Sequence, residues 1–374
     1  GSNFVQNVHS YPECYQGRTA SWDNLLGSIN LYSDSCESVI ERLLRKKLLP
    51  MDTNLASLMS DLHKRMVEVV SNDPFPVCSN YKRCAINWLS GQFTEKIPEK
   101  EDANNYIQVL RYMYKTYQVT SSSVTCLEET NKMGNSDSTT GLVTWQGAWG
   151  LLNYVNDNGP YILPPKAKIL ELGSGAGLFG LALMKIMGDM VPSFIFSDEN
   201  TKVLSSLVTN FNINFNKRAF SANDLTQWLE VGPPPYDSNK SEVLPSEELK
   251  SRVQFKRLDW LDAPDELIAS LDYNIVFGSD LTYTPALLKP LAQLLKRLLT
   301  AKSGQSIVAF IVCTHRQMGS IDEFLEHLVN CGLHYTVAMR ATFSTKDGCV
   351  VDHEPLHRYS VFKLTTVAQT NIDS

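Results

Sequence analysis

The sequence has no excess of basic residues: Lys+Arg total 34 against 40 Asp+Glu, a formal net charge of −6. A chain that neutralises a phosphate backbone carries a basic patch or stripe, so direct nucleic-acid binding is not expected. The eight cysteines (Cys14, Cys36, Cys78, Cys84, Cys126, Cys313, Cys331 and Cys349) form no C-x-x-C pair and have no histidine at metal-ligand spacing. That pattern argues against a zinc framework and predicts no metal site. Scattered thiols fit a reducing compartment, so a cytoplasmic protein is expected. Long apolar runs are also missing. SIVAFIVC at Ser306 to Cys313 falls far short of the ~20 residues a membrane span needs, so no membrane partner is expected. No secretory segment opens the chain, Gly1-Ser2 reads as an expression remnant, and no tandem repeat is visible.

What is present is globular: 43% hydrophobic and 20% charged residues over 374 positions, enough for a sizeable core and a second, smaller unit. From about Met51 to Val119 the periodicity is helical. Leu55, Leu58, Met59, Leu62, Met66 and Val70 share one stripe, and Asn72 to Pro76 (NDPFP) stops it. DANNYIQVLRYMYKTYQV repeats the spacing with Tyr106, Val109, Leu110, Met113 and Tyr117. These stripes read as core, and residues 1–120 are expected to form a helical N-terminal domain.

Beyond residue 120 the texture changes. KILEL, SFIFSD, VQFKRLDW, YNIVFGSD and SIVAFIVC read as strands, separated by helical stretches such as Lys202 to Phe211 and Leu287 to Leu298. Such alternation predicts an α/β fold, a doubly wound Rossmann-like sheet wrapped by helices. HYTVAMRAT and RYSVFKLTT have no helix between them and should form an antiparallel C-terminal hairpin. Residues 221–250 are polar and proline-rich, and read as an insertion outside the core.

The glycines of LELGSGAGLFG admit two registers. Gly173, Gly175 and Gly177 form E-x-G-x-G-x-G from Glu171, a methyltransferase pattern, whereas Gly175, Gly177 and Gly180 satisfy the dinucleotide pattern G-x-G-x-x-G. Placement disfavours the dinucleotide register, because its first glycine belongs at the strand end, where Gly173 stands, and that puts Leu178 in the third glycine's place. Glu171 at the strand end suits a cofactor with a cationic methionine tail. Asp198, ending the second strand, can accept from ribose hydroxyls in either class of cofactor. Asp259 and Trp260 end the third strand, where a carboxylate can take an adenine amino group and an indole can cover the ring. The fourth ends at Ser279-Asp280-Leu281-Thr282-Tyr283, before a helix with Thr284 as its expected N-cap and Pro285 at N1. Asp280 stands where a doubly wound enzyme keeps its chemistry, although an aspartate before a helix is often only a cap.

Together GLVTW (Gly141 to Trp145), LELGSGAGL, IFSD, LDW and the D-x-x-Y at Asp280 resemble the seven-strand, class I S-adenosylmethionine-dependent protein-lysine methyltransferases. FPVCSNYKRC, SSSVTC and STTGLVTWQ are similar in order and spacing to the branch that methylates elongation factor 2 and has a helical N-terminal region. The resemblance implies a methyltransferase domain over residues 121–374, with S-adenosyl-L-methionine as cofactor and S-adenosyl-L-homocysteine as product. It implies a protein substrate, elongation factor 2, and a monomeric enzyme. It further implies that Trp145 packs beside the cofactor, that Glu171, Gly173, Gly175 and Gly177 surround its methionine end, and that Asp198 holds the ribose. Asp259 and Trp260 would meet the adenine and Ser279 would complete the cofactor site, while Asp280 and Tyr283 would face the target lysine as the catalytic pair. One departure is that Val312-Cys313-Thr314-His315 precede Arg316, whereas the family is basic closer to the strand end. A methyltransferase with another acceptor and a non-catalytic nucleotide-binding scaffold remain as alternatives.

Overall fold

A computed structural model describes residues 5–7, 112–119, 122–129, 140–216, 220–235, 251–302, 304–316, 318–343 and 357–366. The helical stripe expected at Met51 to Val70 lies outside the described residues. The expected helix through Tyr112 to Val119 is corrected: this stretch is strand β2 (Tyr112–Val119), paired antiparallel with β3 (Ser122–Glu129) and with the short β1 (Val5–Asn7). Aromatic residues suit a pleated, covered surface, and Tyr112, Tyr114, Tyr117 and Val119 are all buried there. The boundary at residue 120 therefore falls within a hairpin, and both of its strands enter one core with the helices that follow.

That core continues through α1 (Gln146–Ile162), β4 (Lys168–Leu172), α2 (Leu178–Met187), β5 (Ser193–Asp198) and α3 (Thr201–Phe215). Next come α4 (Ala222–Val231), β6 (Val253–Arg257), α5 (Asp265–Ser270), β7 (Ile275–Ser279) and α6 (Pro285–Thr300). The chain closes with β8 (Val308–Thr314), α7 (Met318–Asn330), β9 (His334–Thr342) and β10 (Arg358–Thr365).

Seven strands form one sheet in the order β6-β5-β4-β7-β8-β10-β9. The first five positions are parallel, and β10 runs antiparallel to both β8 and β9, the expected C-terminal hairpin. Successive residues of each strand face opposite layers. Ile169, Phe277 and Phe310 pack with α1, α2 and α3, while Leu170, Val276 and Ile311 pack with α5, α6 and α7. Gly180 lets α2 approach the sheet closely, since a Cβ there would come within 2.3 Å of the Phe196 ring.

The stretch 221–250 is not all peripheral. Its first part is α4, closed by a capping box in which Ser221 and Asp224 bond each other reciprocally. Trp228 is buried, and the Leu225 carbonyl accepts the Tyr114 hydroxyl at 2.7 Å, so α4 covers β2. Residues 236–250 lie outside the described residues.

Candidate active site

The chain crosses from one side of β4 to the other between β6 and β7. Such a switch point opens a crevice at the carboxyl ends of the strands. A cavity of about 450 Å³ lies there. Its wall takes residues from each parallel strand end: Gly173 and Gly175 after β4, Asp198 at the end of β5, Asp259 and Trp260 after β6, Ser279 and Asp280 at β7, and Thr314 and Arg316 at β8. Trp145 and Tyr283 complete the expected set on this wall.

Gly177 and Glu171 do not line it. Gly177 is the left-handed N-cap of α2, where a Cβ would lie 2.4 Å from Leu207 Cδ1, so its smallness serves packing against α3. Glu171 lies behind the glycine loop, 2% exposed, with its Oε2 lacking a hydrogen-bond partner. Burial pushes its carboxyl up to about 8, tempered by the Ser174 hydroxyl and reinforced by the charge of Asp198. A buried carboxyl with an orphaned oxygen costs free energy unless a donor arrives.

Asp198 faces the loop directly. Its Oδ2 accepts the Gly175 N–H at 3.3 Å and its Oδ1 the Asn200 N–H at 3.1 Å, while the Asn200 side chain caps α3. Burial raises its carboxyl to about 6, and these two N–H groups hold it from rising further. Gly175 has φ +54, and a Cβ there would lie 3.2 Å from the Gly141 carbonyl oxygen, so the glycine loop and the 140–145 segment meet backbone to backbone. On the third strand end, Asp259 Oδ1 accepts the Leu261 N–H at 2.9 Å, which fixes the turn carrying Trp260.

The acceptor end differs from the simple expectation for an aspartate before a helix. Thr284 and Pro285 do begin α6, but no side chain caps that helix. Asp280 turns away from α6 with φ +52, and its carboxylate accepts the Gly147 N–H at 2.7 Å and the Thr314 N–H at 3.0 Å. The Arg316 guanidinium lies 4.0 Å from Asp280 Oδ2 and 4.6 Å from the centre of the Trp145 ring. Arg316, left without a role by the sequence, thus stands between a carboxylate and an indole face. Its position after a strand end was the only signal for it. Tyr283 is 54% exposed at the mouth, and burial of the rest of the ring raises its phenol above the ordinary value.

The residues fit S-adenosylmethionine. A buried carboxyl with a spare oxygen suits a cationic methionine end, a half-buried aspartate suits ribose hydroxyls, and a glycine cradle excludes side chains where the backbone must be approached. Among the described residues no group of His, Cys, Asp and Glu could hold a metal ion. Fold and cleft together define a doubly wound, S-adenosylmethionine-dependent methyltransferase. The chain belongs to the lysine methyltransferase family, whose profile matches residues 125–244 and 238–330, more than half of its length. The human protein-lysine N-methyltransferase EEF2KMT is 26% identical over 297 residues, covering 77% of this chain and 82% of that protein. Its Bos taurus counterpart is 31% identical over 224 residues, 59% of this chain and 61% of that one. Magnesium protoporphyrin IX methyltransferase from Synechocystis, solved with bound SAM, aligns over 59% of this chain and 79% of its own at 12% identity, with a TM-score of 0.33.

Proposed function

We propose that this chain transfers methyl groups from S-adenosylmethionine to a lysine of translation elongation factor 2. The observation that carries the transfer is the make-up of the cleft wall, where Asp198, Asp259 and Trp260 stand with Trp145, Asp280 and Tyr283, while Glu171 keeps an unpartnered oxygen just before the glycine loop. Elongation factor 2 as acceptor rests on the motif order and on the names of the human and bovine relatives. No helix among the described residues is long and apolar enough to cross a membrane. The described cysteines, Cys126, Cys313 and Cys331, are free thiols, as a reducing compartment such as the cytoplasm would keep them.

When bound, the cofactor supplies an electrophilic methyl group; the residues supply alignment. A lysine attacks only as the neutral amine, and its ordinary pKa is ~10.4. A carboxylate offers about four acceptor positions, and two at Asp280 are taken by backbone N–H groups. Asp280 is therefore a fixed negative wall that orients the incoming ammonium, and a poor base. The Arg316 guanidinium already lies over the Trp145 ring, so the exposed Tyr283 ring is the face that offers the lysine cation–π contact, worth ~0.5–2 kcal/mol. Proton loss then falls to desolvation and to water at the mouth.

The test is to incubate the purified chain with elongation factor 2 and isotopically labelled S-adenosylmethionine, then map the label by mass spectrometry. Label on one lysine of elongation factor 2 is the expected result. Cofactor binding with label only in other proteins would move the acceptor elsewhere, and binding without transfer would favour the scaffold reading.

A further inference from the structure

A charged group outside the cavity is built into the fold as firmly as any within it. Glu128, on β3, is fully buried. Its Oε1 accepts the Tyr117 hydroxyl at 2.5 Å and the Thr144 hydroxyl at 2.7 Å, and its Oε2 accepts the Thr144 N–H at 3.1 Å. The Lys115 ammonium lies 3.5 Å from Oε2. Burial, then the charge of Glu128, pushes the Tyr117 phenol well above its ordinary value, so it stays a donor. Burying a carboxylate costs several kcal/mol unless its oxygens are satisfied, and an apolar substitute in such a place is often no less stable. Stability alone is thus a weak reason for this arrangement.

Its connections give a better one. Lys115 and Tyr117 belong to β2, whereas Thr144 immediately precedes Trp145. The segment held through Thr144 is the cavity wall that carries Thr140, Gly141 and Trp145. Inside it the Trp145 Nε1 donates to the Thr140 carbonyl at 2.7 Å, and the Gly141 carbonyl abuts Gly175. The indole therefore moves with the segment, and the segment is tied from behind to Glu128. The neighbouring Leu127 N–H donates to Asn210 Oδ1 at 2.7 Å, and Asn210 Nδ2 donates to the Ala176 carbonyl of the glycine loop at 2.9 Å. Strand β3 thus reaches both walls of the cleft.

We propose that Glu128 is a positioning residue for methyl transfer: through Thr144 it sets the 140–145 wall and the Trp145 indole, so that the hairpin 112–129 is part of the active site. The proposal rests on the reading of the cleft given above. It also places any dissection of the N-terminal region before residue 112, because a cut at 120 removes Lys115 and Tyr117 from the Glu128 carboxylate.

The test uses the full chain and three variants. Glu128→Gln leaves a side chain of the same shape that cannot accept all its donors. Thr144→Val removes the hydroxyl bond and keeps the N–H. Asn214→Ala is the control: its side chain accepts the Thr125 N–H at 3.0 Å and donates to the Thr125 carbonyl at 2.7 Å, gripping the same strand away from Thr144. For each, thermal midpoint, cofactor Kd by calorimetry, and kcat and KM for the protein acceptor are measured well below the midpoint. Glu128→Gln and Thr144→Val should weaken cofactor binding at least threefold and lower kcat at least tenfold, while Asn214→Ala lowers the midpoint with both constants unchanged. Wild-type constants in Glu128→Gln, or losses in Asn214→Ala equal to those in Glu128→Gln, would overturn the proposal. If Glu128→Gln does not fold, Thr144→Val against Asn214→Ala decides it. If the wild-type chain binds the cofactor but does not methylate elongation factor 2, the acceptor reading fails, and the cofactor Kd of the variants still decides the role of Glu128.

Discussion

The Asp280 carboxylate holds the first turn of α1 through the Gly147 N–H, 2.7 Å from its Oδ2. The contact leaves no room for a side chain at 147, where a Cβ would stand 2.6 Å from Asp280 Cγ. A residue that in sequence looks like a free docking group is therefore also a structural junction between α1, β7 and β8.

Asp280→Asn separates charge from backbone geometry, since asparagine tolerates the positive φ as aspartate does. The amide can keep one of the two backbone bonds and turns its NH2 toward the other donor. We expect a destabilisation of about 1–3 kcal/mol together with severe loss of methylation. Raising the pH should restore little of the rate, because lost alignment is not replaced by more neutral amine. Thermal melts and pH–rate profiles check this, and full rescue at high pH would instead make Asp280 a general base.

Gly147→Ala should mimic that loss without touching a charge. Its methyl group displaces the Asp280 carboxylate, so kcat is expected to fall at least tenfold while the circular dichroism spectrum stays that of the wild type. Steady-state kinetics on the purified variant measure it.

Glu171 predicts a proton release. With its carboxyl raised to about 8 by burial, it is mainly protonated in the empty cleft at neutral pH. A cationic methionine end favours the ionised form, so binding at about pH 7 should expel up to about one proton. Calorimetry in buffers of different ionisation enthalpy reads this directly, and Glu171→Gln should abolish the difference. The sign for stability is the reverse. A raised carboxyl pKa stabilises the cofactor-free fold most below the ordinary value of 4.5, and that contribution is lost as pH rises through about 8.

Gly175→Ala should cost about 1–2 kcal/mol, because a residue with a Cβ is strained at φ +54. The added carbon also presses on the Gly141 carbonyl. Both stability and cofactor affinity should fall, as melts with and without cofactor would show.

Much of the sheet was legible because its strands announce themselves twice, by β-branched runs and by the polar residue that ends each run. LELG, IFSD, LDW and GSD locate the ends of β4 to β7, and the structure brings all four to one cavity. The hairpin was misread for a physical reason. Tyr112, Tyr114, Lys115, Tyr117 and Val119 are all buried, so β2 shows no clean alternation, and Met113 to Tyr117 copies helical spacing. Gly177 was assigned to the cofactor because glycines of one motif look alike, whereas its neighbour in space is Leu207. Glu128 could not be read at all, and Arg316 only by its place after a strand end: each takes its meaning from partners 11 to 171 positions away, which no local pattern encodes.

The most direct test of the account is a calorimetric titration of S-adenosylmethionine into the wild-type chain and into Asp198→Ala. The account predicts one site in the wild type and, because hydrogen bonds to a charged acceptor contribute about 1.5–3 kcal/mol each, at least tenfold weaker binding in the variant. No binding to the wild type, or an unchanged Kd in Asp198→Ala, would contradict the assignment of this cleft to the cofactor.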